Sequence, residues 1–283
     1  MDGIIVVNKP KGITSRDVVN KACKLLNTKK IGHTGTLDPI ATGVLVLCVG
    51  KATKLVEVLT KNDKEYIATV KLGILTDTLD TDGTIIEKKQ ASLDKNELEN
   101  VLKSFIGMYN QEVPIYSAVK INGKKLYEYA REKKEVTLPK RMVEIKDIKL
   151  LELNNNYYKF KVSVSKGTYI RSLIKDINKK LGILGVMSDL IRTRQGKFLI
   201  NDSNSLEDME NGNYNVLTIT DVLKDENCAI IDSTLFKKVK NGAIINNKYN
   251  TDMVTFIYKD SVIAIYKTYD KDKNKMKPYK MFI

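Results

Sequence analysis

An α+β body with a largely antiparallel sheet and flanking helices, followed by a small C-terminal all-β domain, is the fold class this chain predicts. Three observations carry that expectation. Strand-like and helix-like apolar patterns are interspersed without the regular alternation of a doubly wound fold. The 283 residues exceed one typical domain. From Cys228 to Ile283 the patterns are mostly short strands, clearest in Met253–Tyr258, a Lys-Asp-Ser turn and Val262–Tyr266.

Taken in order, Ile4–Val7 is a short apolar strand, and Asn8-Lys-Pro-Lys-Gly12 has turn chemistry. Ser15 is placed to cap a helix whose apolar positions Val18, Val19, Ala22, Leu25 and Leu26 follow the helical period. A glycine-rich loop precedes the buried run Val44–Val49. Tyr66, Ala68, Val70 and Leu72 alternate with Ile67, Thr69 and Lys71, as in a half-buried strand. Asp94 and Glu97 form a capping pair, with Leu98, Val101, Leu102 and Phe105 along one helical face. Tyr158, Phe160, Val162 and Val164 alternate again, and a helix with Leu173, Ile174, Ile177 and Leu181 runs to Gly182. The polar stretch from Asn201 to Asn215 reads as a linker, and residues 1–222 and 223–283 are the expected domains.

Lys and Arg number 48 against 34 Asp and Glu, a formal charge of +14, which suits a polyanion surface such as nucleic acid. Three separated cysteines and one histidine argue against a zinc site or a disulfide framework, and Cys48 reads as a buried, inert thiol. No segment has the length of a membrane span, and Met1-Asp-Gly-Ile-Ile lacks the basic region followed by a long apolar stretch expected of a signal peptide. The expectation is a soluble cytoplasmic protein with no membrane partner.

The most informative stretch is Gly32 to Gly43, Gly-His-Thr-Gly-Thr-Leu-Asp-Pro-Ile-Ala-Thr-Gly, which suits a bent loop holding Asp38 at the rim of a core. A lone loop aspartate of this kind is usually a turn or cap residue. Here the whole run resembles the catalytic loop of the TruB family of tRNA pseudouridine synthases. Further runs resemble the same family: Asn8–Ser15, Tyr66 with Leu72–Gly83, Pro114–Lys120 continuing to Arg131, Gly167-Thr-Tyr-Ile-Arg171 and Leu190-Ile-Arg-Thr-Arg194. Together they span roughly residues 3 to 200. The resemblance implies a pseudouridine-synthase-like fold, with a reduced PUA-like RNA-binding domain at the C-terminus.

It also implies a reaction, the isomerisation of uridine to pseudouridine at position 55 in the T loop of tRNA. The N1–C1′ bond breaks and C5 joins C1′, with no redox change or net hydrolysis, so no cofactor is required. A carboxylate suits the task, by attack at C1′, by trapping the sugar after uracil departs, or by addition at C6. By resemblance Asp38 is the nucleophile, Arg171 its charge partner and Asp80 the residue orienting that arginine. Tyr66 stacks on the target base, and Leu190 forms an apolar wall. Tyr169 contacts the ring and is a candidate for removing the C5 proton. The base must leave its stack to react, and His33 by resemblance fills the space it vacates.

The strongly basic segment from Lys120 to Arg141, with Tyr127 and Tyr129 interleaved, suits an RNA clamp. By resemblance it is the insertion gripping the T stem-loop, and Lys120, Lys124, Lys125, Arg131, Lys140 and Arg141 are its candidate contacts. Val113 and Glu132-Lys-Lys depart from the family pattern in this region. A calcium loop over Asp77, Asp80 and Asp82 fails because Lys89 stands where a glutamate is needed. No metal and no obligate protein partner are expected, and the chain is expected to be a monomer bound to tRNA. Two competing readings are an RNA-binding protein that clamps without catalysis, and a carboxylate-dependent glycosylase or glycoside hydrolase. The first does not need Asp38 or Arg171, and the second leaves the RNA-side motifs without a purpose.

Overall fold

The computed structural model describes residues 1–225 and 227–283. In chain order the body comprises β1 (Gly3–Lys9), α1 (Ser15–Leu25), β2 (Ile31–His33), β3 (Ala41–Val49), α2 (Val56–Thr60), β4 (Lys64–Leu72), β5 (Ile74–Thr76) and β6 (Ile85–Lys88). It continues through α3 (Lys95–Lys103), β7 (Gly107–Glu112), the small hairpin β8 (Lys120–Ile121) and β9 (Lys124–Lys125), α4 (Leu126–Arg131), β10 (Lys140–Leu153) and β11 (Tyr157–Val164). Then follow α5 (Ile170–Leu181), β12 (Gly185–Gln195), β13 (Phe198–Leu199), α6 (Leu206–Glu210) and α7 (Ile219–Leu223). The last part holds β14 (Cys228–Ile230), α8 (Ser233–Lys240), β15 (Ile245–Asn246), β16 (Met253–Tyr258), β17 (Ser261–Tyr269) and β18 (Asp272–Met281).

The body is a nine-stranded sheet with spine order β1-β3-β12-β4-β11-β10-β7, to which β2 and β13 are added at β3 and β12. Its pairings are antiparallel except for β12 against β3, where Leu190, Ile191 and Arg192 lie beside Ala41, Thr42 and Gly43. Strict alternation along β4 and β11 sends Tyr66, Ala68, Val70, Tyr158, Phe160 and Val162 to one face. There α3 and α5 cover them in one apolar cluster. Asp94 caps α3 by accepting from the Glu97 N–H, and α5 ends on Gly182 in the left-handed region at φ 66°. Cys48 is fully buried in β3, and burial pushes its thiol up to about 12.

Two local readings need correction. The cap of α1 is Thr14, which forms a reciprocal box with Asp17, whereas the Ser15 hydroxyl is used in tertiary structure. Residues 201–215 are not a free linker. The buried Asn204 side chain donates to the Val6 carbonyl and accepts from the Asn215 N–H, while Leu206 and Met209 pack beneath β1. Polarity there satisfies the edge of a strand instead of solvating a tether.

The C-terminal sheet has the order β14-β16-β17-β18-β15 and is accompanied by α8. It closes over its own cluster, with Phe256, Tyr266 and Met276 fully buried. A second cluster is shared with the body: Ile4, Val6, Val44 and Val46 meet Val262, Ile265 and Phe282. Among the described residues no helix is long and apolar enough to cross a membrane.

Candidate active site

The loop from Gly32 to Gly43 is held on all sides through its backbone. Ser15 Oγ donates to the Leu37 carbonyl at 3.1 Å and accepts from the Leu37 N–H at 2.8 Å. The Lys9 ammonium is fully buried and donates to the carbonyls of Pro10 at 2.8 Å, Ile13 at 2.7 Å and Pro39 at 3.4 Å. Burial draws its pKa down to about 8 against an opposing pull from Asp38. From the other side Arg192, 1% exposed, donates to the carbonyls of Val44 at 2.6 Å and Gly35 at 3.0 Å, one on each flank of Asp38. Gly43 makes this approach possible, for it sits at φ 99° with the Arg192 backbone where a Cβ would be.

The loop so fixed turns Asp38 toward the start of α5. Arg171 Nε lies 3.0 Å from Asp38 Oδ2, and Nη2 donates to Oδ1 at 3.3 Å, a two-point fork. The remaining donors of this buried guanidinium reach the carbonyls of Thr78 and Tyr116, each at 3.0 Å. Asp80 stands behind it, with Oδ2 at 3.7 Å from Nη1 and Oδ1 accepting from the Thr78 hydroxyl at 2.5 Å and the Asp82 N–H at 3.2 Å. Burial raises the Asp80 pKa, opposed by the Thr78 hydrogen bond and by Arg171.

The ion pair floors a cleft of about 190 Å³, lined by Asp38, Tyr66, Tyr169, Arg171, Met187 and Leu190 together with Thr168 and the segment Tyr116–Ala118. The space suits one small ring, below the roughly 300–1,000 Å³ of sites for larger ligands. A groove of about 1030 Å³ bordered by Leu72, Leu93, Asn154 and Tyr157 is larger, but its charged residues Lys71, Asp94 and Lys95 are exposed. It lacks a buried charged pair, and the smaller cleft is the candidate.

Of the residues singled out from sequence, Asp38, Tyr66, Tyr169, Arg171 and Leu190 share this cleft, and Asp80 touches its arginine from behind. His33 is outside the lining, on β2, with Nδ1 accepting from the Gly35 N–H at 3.3 Å. Lys120, Lys124, Lys125 and Arg131 lie on the excursion between β7 and β10. Its turn, Asn122-Gly123, has positive φ at both residues, as a tight hairpin requires. Lys124 rests over the Tyr129 ring and pairs with Glu132, while Lys125 and Arg131 both approach the Tyr127 ring. Lys140 and Arg141 belong to the main sheet, opposite Glu112 and Gln111. Sequence reading passed over Lys9, Gln111 and Arg192 and gave Ser15 only a capping role, although Lys9, Ser15 and Arg192 lie inside runs already noted.

Comparison with known proteins bears on the fold and the family. A solved H/ACA RNP bound to a substrate RNA containing 2′-deoxyuridine has a chain that superposes with a TM-score of 0.74 at 25% identity, covering 99% of this chain and 85% of that one. A chain of a Cbf5-Nop10-Gar1 complex gives 0.72 at 27% identity, covering 94% and 78%. The family model for the N-terminal domain of TruB family pseudouridylate synthases matches residues 23–170. A tRNA pseudouridine synthase B of Bacillus cytotoxicus is 39% identical over 100% of this chain and 98% of its own length. One from Bacillus subtilis is 41% identical with the same coverage. Fold and comparisons together define the class, that of the pseudouridylate synthases. Within it, the chain belongs to the TruB family.

Proposed function

We propose that this enzyme isomerises the T-loop uridine at position 55 of tRNA, with Asp38 as its nucleophile and the target base flipped into the cleft. The observation that carries the reading is the Asp38–Arg171 fork at the floor of a ring-sized cleft walled by Tyr66, Tyr169 and Leu190. The full-length similarity to enzymes named tRNA pseudouridine synthase B supports the substrate class.

A stacked uridine offers its C1′ and ring faces to no side chain of this cleft, so the nucleotide must leave its stack. Tyr66 packs on the extruded uracil, and Leu190 closes the apolar side. The Asp38 carboxylate assists cleavage of the N1–C1′ bond, and Arg171 holds it in line and stabilises its charge. The freed uracil turns, C5 bonds to C1′, and the C5 proton leaves while N1 gains one, with Tyr169 beside the ring at that step. Asp80 orients Arg171 from behind, and His33 supports the opened T loop. The basic excursion, with Lys120, Lys124, Lys125 and Arg131, grips the stem through its phosphates, and the C-terminal sheet is a PUA-like RNA-binding surface.

Release of tritium from tRNA labelled at uridine C5 tests the reading. Wild-type protein is expected to release it, and Asp38→Asn to lose several orders of magnitude in rate while binding unmodified tRNA nearly as well. Equal turnover by both proteins would end the catalytic role of Asp38. Tight binding without turnover by either would favour a clamp.

A further inference from the structure

Tyr169 has no side-chain cap of its own at the head of α5. Its peptide groups are held from outside by one residue, Gln111, which is fully buried in β7. Gln111 Oε1 accepts from the Tyr169 N–H at 2.7 Å, and Nε2 donates to the Tyr169 carbonyl at 3.0 Å and also to the Tyr109 hydroxyl. The side-chain amide pairs with that peptide as a neighbouring strand would. A buried amide is costly unless its donors and acceptor are met, and here both N–H groups and the oxygen are engaged. Directly across the strand pair from Gln111 is Arg141, whose guanidinium lies 5.5 Å from the centre of the Tyr169 ring. One rung of the sheet thus holds the same tyrosine twice, by its backbone and by its face. Arg171, two residues further along α5, carries Asp38.

We propose that Gln111 is a positioning residue of the isomerase: its side-chain amide fixes the backbone of Tyr169, and with it the phenol ring and the Arg171 guanidinium, in the geometry the flipped uracil requires. Arg141 acts as the second arm, seating the ring. Both stand at the root of the RNA-gripping excursion, so the strand pair that carries the grip also sets the base contact. The inference rests on the isomerase reading given above.

Two variants test it in full-length protein with C5-tritiated tRNA. Gln111→Met keeps length and apolar volume but strips every hydrogen bond. Misplacement of reacting groups by about 1 Å can cost roughly 100-fold, so kcat is expected to fall by about 10- to 100-fold with KM and tRNA affinity unchanged within about twofold. Gln111→Glu keeps the acceptor for the Tyr169 N–H but turns a charged oxygen on its carbonyl. A buried glutamate takes up a proton more readily than a free one, and the acid form restores the donor. The activity of this variant relative to wild type is therefore expected to rise as pH is lowered from about 8 to about 6, while Gln111→Met stays a constant fraction. Wild-type kcat in Gln111→Met overturns the inference. So does a loss of kcat matched by equal losses of tRNA binding and thermal stability, with no recovery of Gln111→Glu at lower pH. If Gln111→Met does not fold, the pH profile of Gln111→Glu decides alone. Failure of wild type to release tritium removes the isomerase reading itself; wild-type turnover in Gln111→Met beside an inactive Asp38→Asn removes only the role of Gln111.

Discussion

His33, the chain's single histidine, sits where partial burial and two guanidinium groups oppose its protonation. Burial is the larger cause, followed by Arg16 and Arg192, and together they hold its pKa below the ordinary 6.5. At neutral pH the ring is uncharged, suited to stacking against a nucleotide. As pH falls, the unfolded chain takes up this proton before the folded one. The group's contribution to stability is therefore fully present above 6.5 and lost as pH falls through the folded value. With one imidazole in the chain, an NMR titration of its ring protons needs no assignment. A midpoint below 6.5 is expected, moving upward in Arg16→Ala, whose side chain is exposed. A midpoint at or above the ordinary value would contradict the electrostatics described for this loop. At this scale the sequence pointed to the residues that face the cleft, because Asp38, Tyr66, Tyr169, Arg171 and Leu190 lie in runs that resemble the motifs of the TruB family. It did not show Lys9, Ser15, Gln111 and Arg192 as holders of the site. These act on backbone carbonyls and N–H groups, which every residue possesses, so no partner residue type betrays them.

The parallel contact between β12 and β3 is the element on which the cleft turns. Leu190, Ala41 and the Asp38 loop are brought together there, and Arg192 closes over the join. Gly43 is where β3 yields to Arg192. Gly43→Ala would place a methyl 2.3 Å from the Arg192 carbonyl oxygen at φ 99°. The dihedral alone costs of order 1–3 kcal/mol, and the backbone contact adds to it. Urea unfolding is expected to show a loss at or above that range, with activity falling further than stability because the loop is displaced. A neutral Gly43→Ala would mean the two strands are not locked at this point. Periodicity showed β4, β11, α3 and α5, whose faces are set by burial alone. It misassigned Ser15, because a hydroxyl beside a helix start looks the same whether it caps the helix or binds a neighbouring loop. It also misread 201–215, where asparagines that finish a sheet edge have the same composition as a tether.

For the whole molecule, the apolar cluster shared by β1, β3 and the C-terminal sheet makes the two parts interdependent. Val262, Ile265 and Phe282 bury against Ile4, Val6, Val44 and Val46. Each such side chain contributes about 1.5–3 kcal/mol when fully buried, so removing residues 224–283 should uncover several kcal/mol of apolar surface on the strands behind the Asp38 loop. The truncated protein is expected to melt more than about 10 °C lower, or to aggregate. A truncation that melts like the intact chain but binds tRNA weakly would make the C-terminal sheet a detachable RNA module. Strand patterning indicated a separate β-rich end but not this shared core, since an apolar residue does not declare which neighbour it will meet.

The order of strands in the body sheet has a consequence for biosynthesis. Because β12 is wedged between β3 and β4, the first sixty or so residues have no rigid seat beside the rest of the sheet until the ribosome has delivered roughly two-thirds of the chain. Such distant pairing makes closure slow relative to local folding. A nascent polypeptide that already carries Asp38 therefore lacks the Leu190 wall of the cleft, and on the proposed mechanism it gains activity only once most of its length exists.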